Sequence, residues 1–354
     1  MAKKYQSKHR RDLIKYSILI GISLLAILSV LVPLPYYIEM PGSAEDTKNF
    51  VTVDGKRDKQ PGSFMLTTVG IQRGTLASLA TAKLSSFQDI ISQDELMGDS
   101  TDDEYDQLSN YEMTSSTNMA KKVALDLAKK PYKISYDGAY VMTVQEQSDF
   151  YDKLEPGDIL YQVNDKKFKK TDDFMNYIKK QKLGQRITIH FFRDGNKEKA
   201  EGKIIDLPDA KKVGIGVTLT EQTSLKTKQD LEINVDDIGG PSAGLMFTLS
   251  LYQLLEDQDL RKGRDIAGTG TIMSDGTVGP IGGIDKKVVA ADKAGATVFF
   301  APNDEIDEET KKVYPDVQTN YEEAKEAAQK IKSKMKIIPV KTAEDALTYL
   351  KSIK

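Results

Sequence analysis

Ser242 lies in the run Ile238-Gly239-Gly240-Pro241-Ser242-Ala243-Gly244-Leu245-Met246, directly ahead of the apolar stretch 247–255. A hydroxyl placed there could act as a nucleophile. Gly239 and Gly240 let a second backbone come close, and the first N–H groups of a helix have no intrahelical acceptor. Those donors and the helix dipole suit a developing oxyanion. The plainer reading is that Pro241 and Ser242 merely open a helix. Composition limits the base such a serine could use. The chain has no cysteine and only two histidines, His9 and His190. A cysteine nucleophile is excluded, and a Ser-His-Asp triad would depend on His190, in a stretch that reads as a strand of another module. The base that remains is a lysine, which must be neutral; burial lowers a lysine pKa.

Lysine candidates occur at Lys286 and Lys287, after Val278-Gly279-Pro280-Ile281-Gly282-Gly283 and at the start of a helix expected over 285–294, with Gly295 ending it. Lys287 shares its helical face with Ala290, Ala291 and Ala294. Lys286 shares a face with Lys293 and is expected in solvent. Periodicity leaves two readings of Lys287 level: an ammonium that snorkels to water, or a buried base.

The elements that must position these groups are legible nearby. Residues 231–235 alternate like a strand and lead into the serine loop. Residues 266–272 read as a strand containing Gly268-Thr269-Gly270, with a turn at Ser274-Asp275-Gly276. The glycine pair is no dinucleotide fingerprint, and no Gly-x4-Gly-Lys-Ser/Thr loop occurs, so neither nucleotide binding nor an intrinsic ATPase is expected. Further back, strands are expected at 50–53 and 64–72, and helices at 75–91 and 113–128. Between these helices, residues 94–112 hold eight acidic residues and no basic one. That run reads as a mobile, solvated surface segment, and its spacing is not that of a calcium loop, so no metal and no cofactor are expected. At the C-terminal end a strand at 297–301, a charged helix at 321–334, a strand at 336–340 and a capping box at Thr342-Ala343-Glu344-Asp345 complete the chain.

The net charge of −3 hides an asymmetry: residues 1–15 carry +5, leaving −8 on the rest. With no basic stripe in the body, nucleic acid is not an expected partner. Residues 16–35 contain no charge and are long enough to cross a bilayer of roughly 30 Å. The expectation is a basic tail at 1–15 that stays in the cytoplasm and a single transmembrane anchor at 16–36, with Pro33, Pro35, Tyr36 and Tyr37 at the outer interface. A cleaved signal peptide is the competing reading, against which stands the absence of a small-x-small site after Ser29.

Residues 129–210 read as a unit of short strands and one amphipathic helix. Their run Leu154-Glu155-Pro156-Gly157-Asp158-Ile159-Leu160-Tyr161-Gln162-Val163-Asn164 resembles that of PDZ domains. The resemblance implies a mainly-β module that adds an extended peptide to a sheet edge, here Gly138, Tyr140, Val141, Met142 and Val144 beside a helix at 171–182. The loop at 136–139 lacks the usual Gly-Leu-Gly-Phe pattern. A spacer that binds nothing is the alternative.

Pro241-Ser242-Ala243-Gly244, then Gly268-Thr269-Gly270, then Pro280-Ile281-Gly282-Gly283-Ile284 with Lys287 and Ala290-Ala291, resemble the proteolytic domain of Lon-type (S16) proteases. The resemblance implies an α/β (α+β) domain in which Ser242 is the nucleophile, Lys287 the base and Thr269 its support, with Gly240 and Pro241 shaping the loop. It departs at Gly239, where relatives often carry an acidic residue; Asp236 or Asp237 is the candidate substitute. The inserted PDZ module would divide the protease domain into 37–128 and 211–354. This plan is similar to that of SepM/YlbL-like membrane-anchored, PDZ-containing surface proteases of Gram-positive bacteria. It implies an ATP-independent extracytoplasmic serine endopeptidase acting on secreted peptides or unfolded exported proteins, in some relatives a signalling peptide of quorum sensing, and it leaves an oligomer open. The rival is a tethered PDZ adaptor with an inactive protease domain.

Overall fold

A computed structural model describes residues 2–98, 100–193, 195–207, 212–235, 238–304, 306 and 308–353. The chain opens with α1 (Ala2–Leu31), β1 (Pro33–Asp46), β2 (Val51–Val53), β3 (Ser63–Thr75) and α2 (Leu76–Ala82). Next come β4 (Asp89–Ser92), α3 (Gln93–Met97) and α4 (Asp102–Leu127). A second run comprises β5 (Tyr132–Val144), β6 (Ile159–Val163), β7 (Lys166–Lys167), α5 (Thr171–Ile178) and β8 (Arg186–Arg193). It continues through β9 (Asn196–Lys203), β10 (Ile205–Leu207), β11 (Lys212–Gly214) and β12 (Val217–Thr227). The last run begins with β13 (Leu231–Ile233), α6 (Gly244–Glu256), β14 (Asp265–Gly268), β15 (Thr271–Ile272), β16 (Val278–Gly279) and α7 (Ile284–Lys293). It ends with β17 (Val298–Pro302), α8 (Glu308–Val313), α9 (Asn320–Lys330), β18 (Lys336–Val340) and α10 (Ala343–Ser352).

The main sheet has the order β18-β17-β14-β3-β1-β4 and draws on both ends of the chain. Strands β18, β17, β14 and β3 run parallel to one another, and β1 is antiparallel to β3 and β4. Side chains alternate across it as a pleated strand requires. Phe64, Leu66 and Ile266 pack in one core with residues of α4, α6 and α10, whereas Met65 and Ala267 pack in another with residues of α7 and α9. The result is helices on both faces of one mixed sheet. A second sheet, β12-β5-β6-β8-β9 with β7 on β6, packs with α5 around a separate core of Phe150, Leu160, Phe174 and Phe191.

Several expectations need correction. The apolar helix segment Ile14–Leu31 is long and apolar enough to cross a membrane, but it does not run on to residue 36. Pro33 lacks an N–H and disfavours helical backbone before it, so α1 stops at Leu31 and β1 starts at once. Tyr37, expected at an interface, is buried in β1 between Arg73 of β3 and Ile91 of β4. The helix expected over 75–91 stops at Ala82, and Ile90 and Ile91 instead form an edge strand opposite Ile38 and Tyr37. β-branched side chains favour that pleated setting.

The acidic run at 94–112 is not an irregular loop. It forms α3 and the first part of α4, a helix of 26 residues capped reciprocally by Thr101 and Glu104. Carboxylates at a helix N-terminus complement its dipole, so the charge that suggested a loop supports the helix. Strand β12 lies beyond the 129–210 unit expected from sequence but pairs along the whole of β5, so it belongs to the second sheet.

Candidate active site

Ser242 immediately precedes Ala243, the N-cap of α6. Lys287 lies in the first turn of α7, whose N-cap, Gly283, has φ +63°. A Cβ on Gly283 would stand 3.1 Å from Val69 and 3.2 Å from the Glu39 carboxylate, so glycine lets α7 start hard against β1 and β3. Helix α7 thereby brings Lys287 Nζ to 2.8 Å from Ser242 Oγ and 3.2 Å from Thr269 Oγ1. Thr269, at the end of β14, donates its hydroxyl to the Ser242 carbonyl at 3.1 Å, and the Gly270 N–H donates to the same oxygen at 2.8 Å. The structure therefore brings together Ser242, Thr269 and Lys287 from three separate elements.

The loop ahead of the serine is held by α4. The Gly240 N–H donates to the Ser109 carbonyl at 3.0 Å, and Ser116 Oγ donates to the Pro241 carbonyl at 2.8 Å. A Cβ on Gly239 would fall 2.0 Å from Ser109 Oγ and 3.2 Å from its Cβ, so an acidic residue there, as in the related pattern, would require the Ser109 hydroxyl to turn away. Ser109 and Ser116 escaped the sequence reading. Their signal was a spacing of seven on one helix, hidden because Ser109 belongs to the acidic run. Among the described residues, the N–H groups of Ser242 and Ala243, ahead of the first turn of α6, have no backbone acceptor. Asp236 and Asp237 lie outside the described residues.

Burial sets the chemistry of the lysine. Lys287 is 3% exposed, and desolvation pushes its pKa down to about 8, with the Glu39 carboxylate opposing. Lys286, expected in solvent, is 2% exposed. Its ammonium meets Asp89 at 2.5 Å, Asp285 at 3.1 Å and Glu39 at 3.3 Å. Burial alone would lower its pKa, but the Asp89 hydrogen bond and the charges of Asp285 and Glu39 win and raise it. His190, the other conceivable base, is in β8 beside Tyr161 and belongs to the second sheet. A cleft of about 1400 Å³ opens over Ser242 and Lys287, walled by β1, β3 and α4, with Glu39, Ile71, Tyr105 and Glu112 among its lining.

The second sheet corrects the expected peptide edge. The β5 stretch holding Gly138, Tyr140, Val141 and Val144 is covered by β12, with partners Gln222, Thr220, Leu219 and Val217, and Met142 sits in the bulge between two registers. The outer strand on this side is β12; its Thr220, Glu221 and Thr223 carbonyls accept from Thr171, Tyr111 and Asn118, which among the described residues leaves its start at Val217 as the uncovered part. The strand is entered through Gly214-Ile215-Gly216-Val217, a Gly-x-Gly-apolar run that the sequence reading sought at 136–139 instead. The Ile215 carbonyl accepts from Ser148 Oγ and the Gly216 carbonyl from the Gln145 N–H. In a planar trans peptide the N–H points opposite its carbonyl, so the Gly216 and Val217 N–H groups face away from those partners. Val217 and Val144 are then a non-hydrogen-bonded pair, which turns the polar groups of Val217 to the open side.

Comparison with known proteins agrees with this architecture. Residues 217–351 match the Lon protease (S16) C-terminal proteolytic domain, and residues 111–204 match a PDZ domain. The chain is 31% identical over 131 residues to Lon protease of Campylobacter concisus, covering 36% of this chain and 14% of that protein. It is 40% identical over 81 residues to Lon protease of Desulforamulus reducens, covering 22% and 10%. The chain thus spans only a small part of these relatives. A solved PDZ domain of an SdrC-like protein from Listeria monocytogenes is 32% identical, covers 25% of this chain and 93% of that one, and has a TM-score of 0.24. The chain combines a stretch, residues 217–351, that is similar to the S16 proteolytic domain with one, residues 111–204, that is similar to a PDZ domain.

Proposed function

We propose that this chain is a membrane-anchored, ATP-independent serine endopeptidase of the SepM/YlbL-like kind, with Ser242 as nucleophile and Lys287 as general base. The observation that carries the reading is the 2.8 Å approach of a buried, pKa-lowered lysine to the serine hydroxyl. Neutral Lys287 takes the Ser242 proton as Oγ attacks a peptide carbonyl. The N–H groups of Ser242 and Ala243, at the positive end of α6, stabilise the oxyanion. The Lys287 ammonium then protonates the leaving amine, and the neutral amine regenerated activates water to release the acyl group. Thr269 orients Lys287 by accepting from it while fixing the Ser242 carbonyl.

The basic N-terminal tail and apolar α1 support an anchor with the catalytic body outside the cytoplasm. The substrates are extended secreted peptides or unfolded exported segments, a signalling peptide among them, that fit the cleft over Ser242. The PDZ unit recruits such chains by adding a strand to β12, in place of the β5 edge. The test uses the full chain in non-ionic detergent and its Ser242→Ala twin, incubated without nucleotide with unstructured peptides, with products read by mass spectrometry. Cleavage by the parent alone supports the peptidase. Peptide retention without cleavage by either protein would instead favour a tethered adaptor.

A further inference from the structure

Lys286 is a buried charged group next to the dyad that the proposed reaction does not use. It is 2% exposed in the first turn of α7, adjacent to Lys287. Glu39, on β1, lines the same cleft as Lys287 and, among the described residues, is the charged group whose field favours the Lys287 ammonium. The Glu39 carboxylate is 23% exposed, so water screens it only in part. An unpaired carboxylate there would attract a proton to Lys287 and compete with Ser242 for its amine. In this fold Glu39 is held by Lys286 at 3.3 Å instead.

We propose that Lys286 is a positioning residue for the dyad: its ammonium holds and neutralises the Glu39 carboxylate, leaving the neighbouring Lys287 free to stay neutral and aimed at Ser242. This rests on the Ser242–Lys287 reading above. The charged groups around Lys286 are Glu39 from β1, Asp89 from β4, Asp285 from α7 itself and Glu323 from α9. Asp89 and Asp285 keep the Lys286 ammonium charged despite its burial, and their carboxylates are 63% and 35% exposed, so water screens them more than Glu39. Lys286 acts on Lys287 through Glu39, as the counter-charge to that carboxylate. Two adjacent lysines thus divide the work, one permanently charged so that the other need not be.

The experiment measures kcat/KM against pH, from 6 to 10.5, for the full chain in non-ionic detergent with one peptide substrate. Lys286→Met should move the acid limb to higher pH by about one unit, the lower end of the shift an opposite charge produces at short range. Glu39→Gln should move it to lower pH. The double variant should return it to the parent position or below, and Lys286→Arg should keep it near the parent. A Lys286→Met limb that coincides with the parent's, or a double variant that stays displaced, overturns the proposal. If Lys286→Met fails to fold, Glu39→Gln decides: an unmoved limb overturns it. Substantial cleavage by Lys287→Arg would instead sink the dyad itself, a distinct failure.

Discussion

Ser116 and Pro241 are 125 residues apart in sequence, yet the Ser116 hydroxyl donates to the Pro241 carbonyl at 2.8 Å. Together with the Ser109 carbonyl on Gly240, this bond ties the loop carrying the nucleophile to α4. Only the loop backbone is held, so substrate contacts should be little affected by its loss. Ser116→Ala should lower kcat about five- to tenfold, in line with roughly 1 kcal/mol for a neutral hydrogen bond, with KM nearly unchanged. Steady-state kinetics on one peptide checks this. An effect confined to KM would remove the positioning role.

The lowered pKa of Lys287 fixes the sign of the pH dependence. The base form is the neutral amine, so kcat/KM should rise with pH along a limb centred at about 8 and level off above it. Lys287→Arg should cost about a thousandfold or more, since a guanidinium stays protonated throughout that range. A pH–rate profile of the parent and an endpoint assay of the variant test both. A limb near 6 would point to a different base.

These outcomes draw on residues only partly legible from type and spacing. Ser242 after paired glycines read as readily as a plain helix start, and Lys287 among alanines read equally as a snorkelling ammonium or a buried base, so the resemblance to related domains decided both. Thr269 needed it too. What escaped was set by partners distant in sequence. Lys286 read as solvent-facing because helical periodicity sees only its own helix, whereas its burial comes from Glu39 and Asp89, some 250 and 200 positions upstream. The strand character of 33–46 was masked by the adjoining apolar helix, and the acidic start of α4 by its charge. Strand β12 was split from its sheet because nothing local says that residues 217–227 pair with residues 132–144.

Removal of the base should stabilise the fold. Lys287 has a folded-state pKa of about 8 against 10.5 when unconstrained, so between those values the unfolded chain holds a proton that the folded chain does not. Stability from this group therefore increases with pH across that window, and below pH 8 the full penalty applies. At 1.36 kcal/mol per pKa unit the penalty is about 3 kcal/mol. Lys287→Met, of similar volume, should raise the denaturation midpoint at pH 7, less whatever its lost hydrogen bonds cost, and the gain should shrink steadily towards pH 10.5. Chemical denaturation of both proteins at pH 7, 9 and 10.5 tests it. A gain independent of pH would contradict a neutral, buried Lys287.

The position of the peptide edge can be decided by crosslinking. If β12 is the receiving strand, a photoreactive residue replacing Val217 in the Ser242→Ala protein should capture a bound peptide, whereas one replacing Met142 should not. Met142 lies in a bulge between β5 and β12, where the neighbouring strand already occupies the edge. The Gly216 and Val217 N–H groups, turned outward by the bonds that hold the preceding carbonyls, are adjacent donors suited to a terminal carboxylate. Amidation of the peptide C-terminus should then weaken binding about tenfold, the loss of a charge-assisted contact. Gly216→Val should weaken it as well, because φ is +65° there and a Cβ would stand 3.1 Å from Ser148 and 3.2 Å from Ile205. Capture at Met142 with no effect of amidation would return the peptide to β5, and would require β12 to leave its eleven paired positions before any substrate could bind.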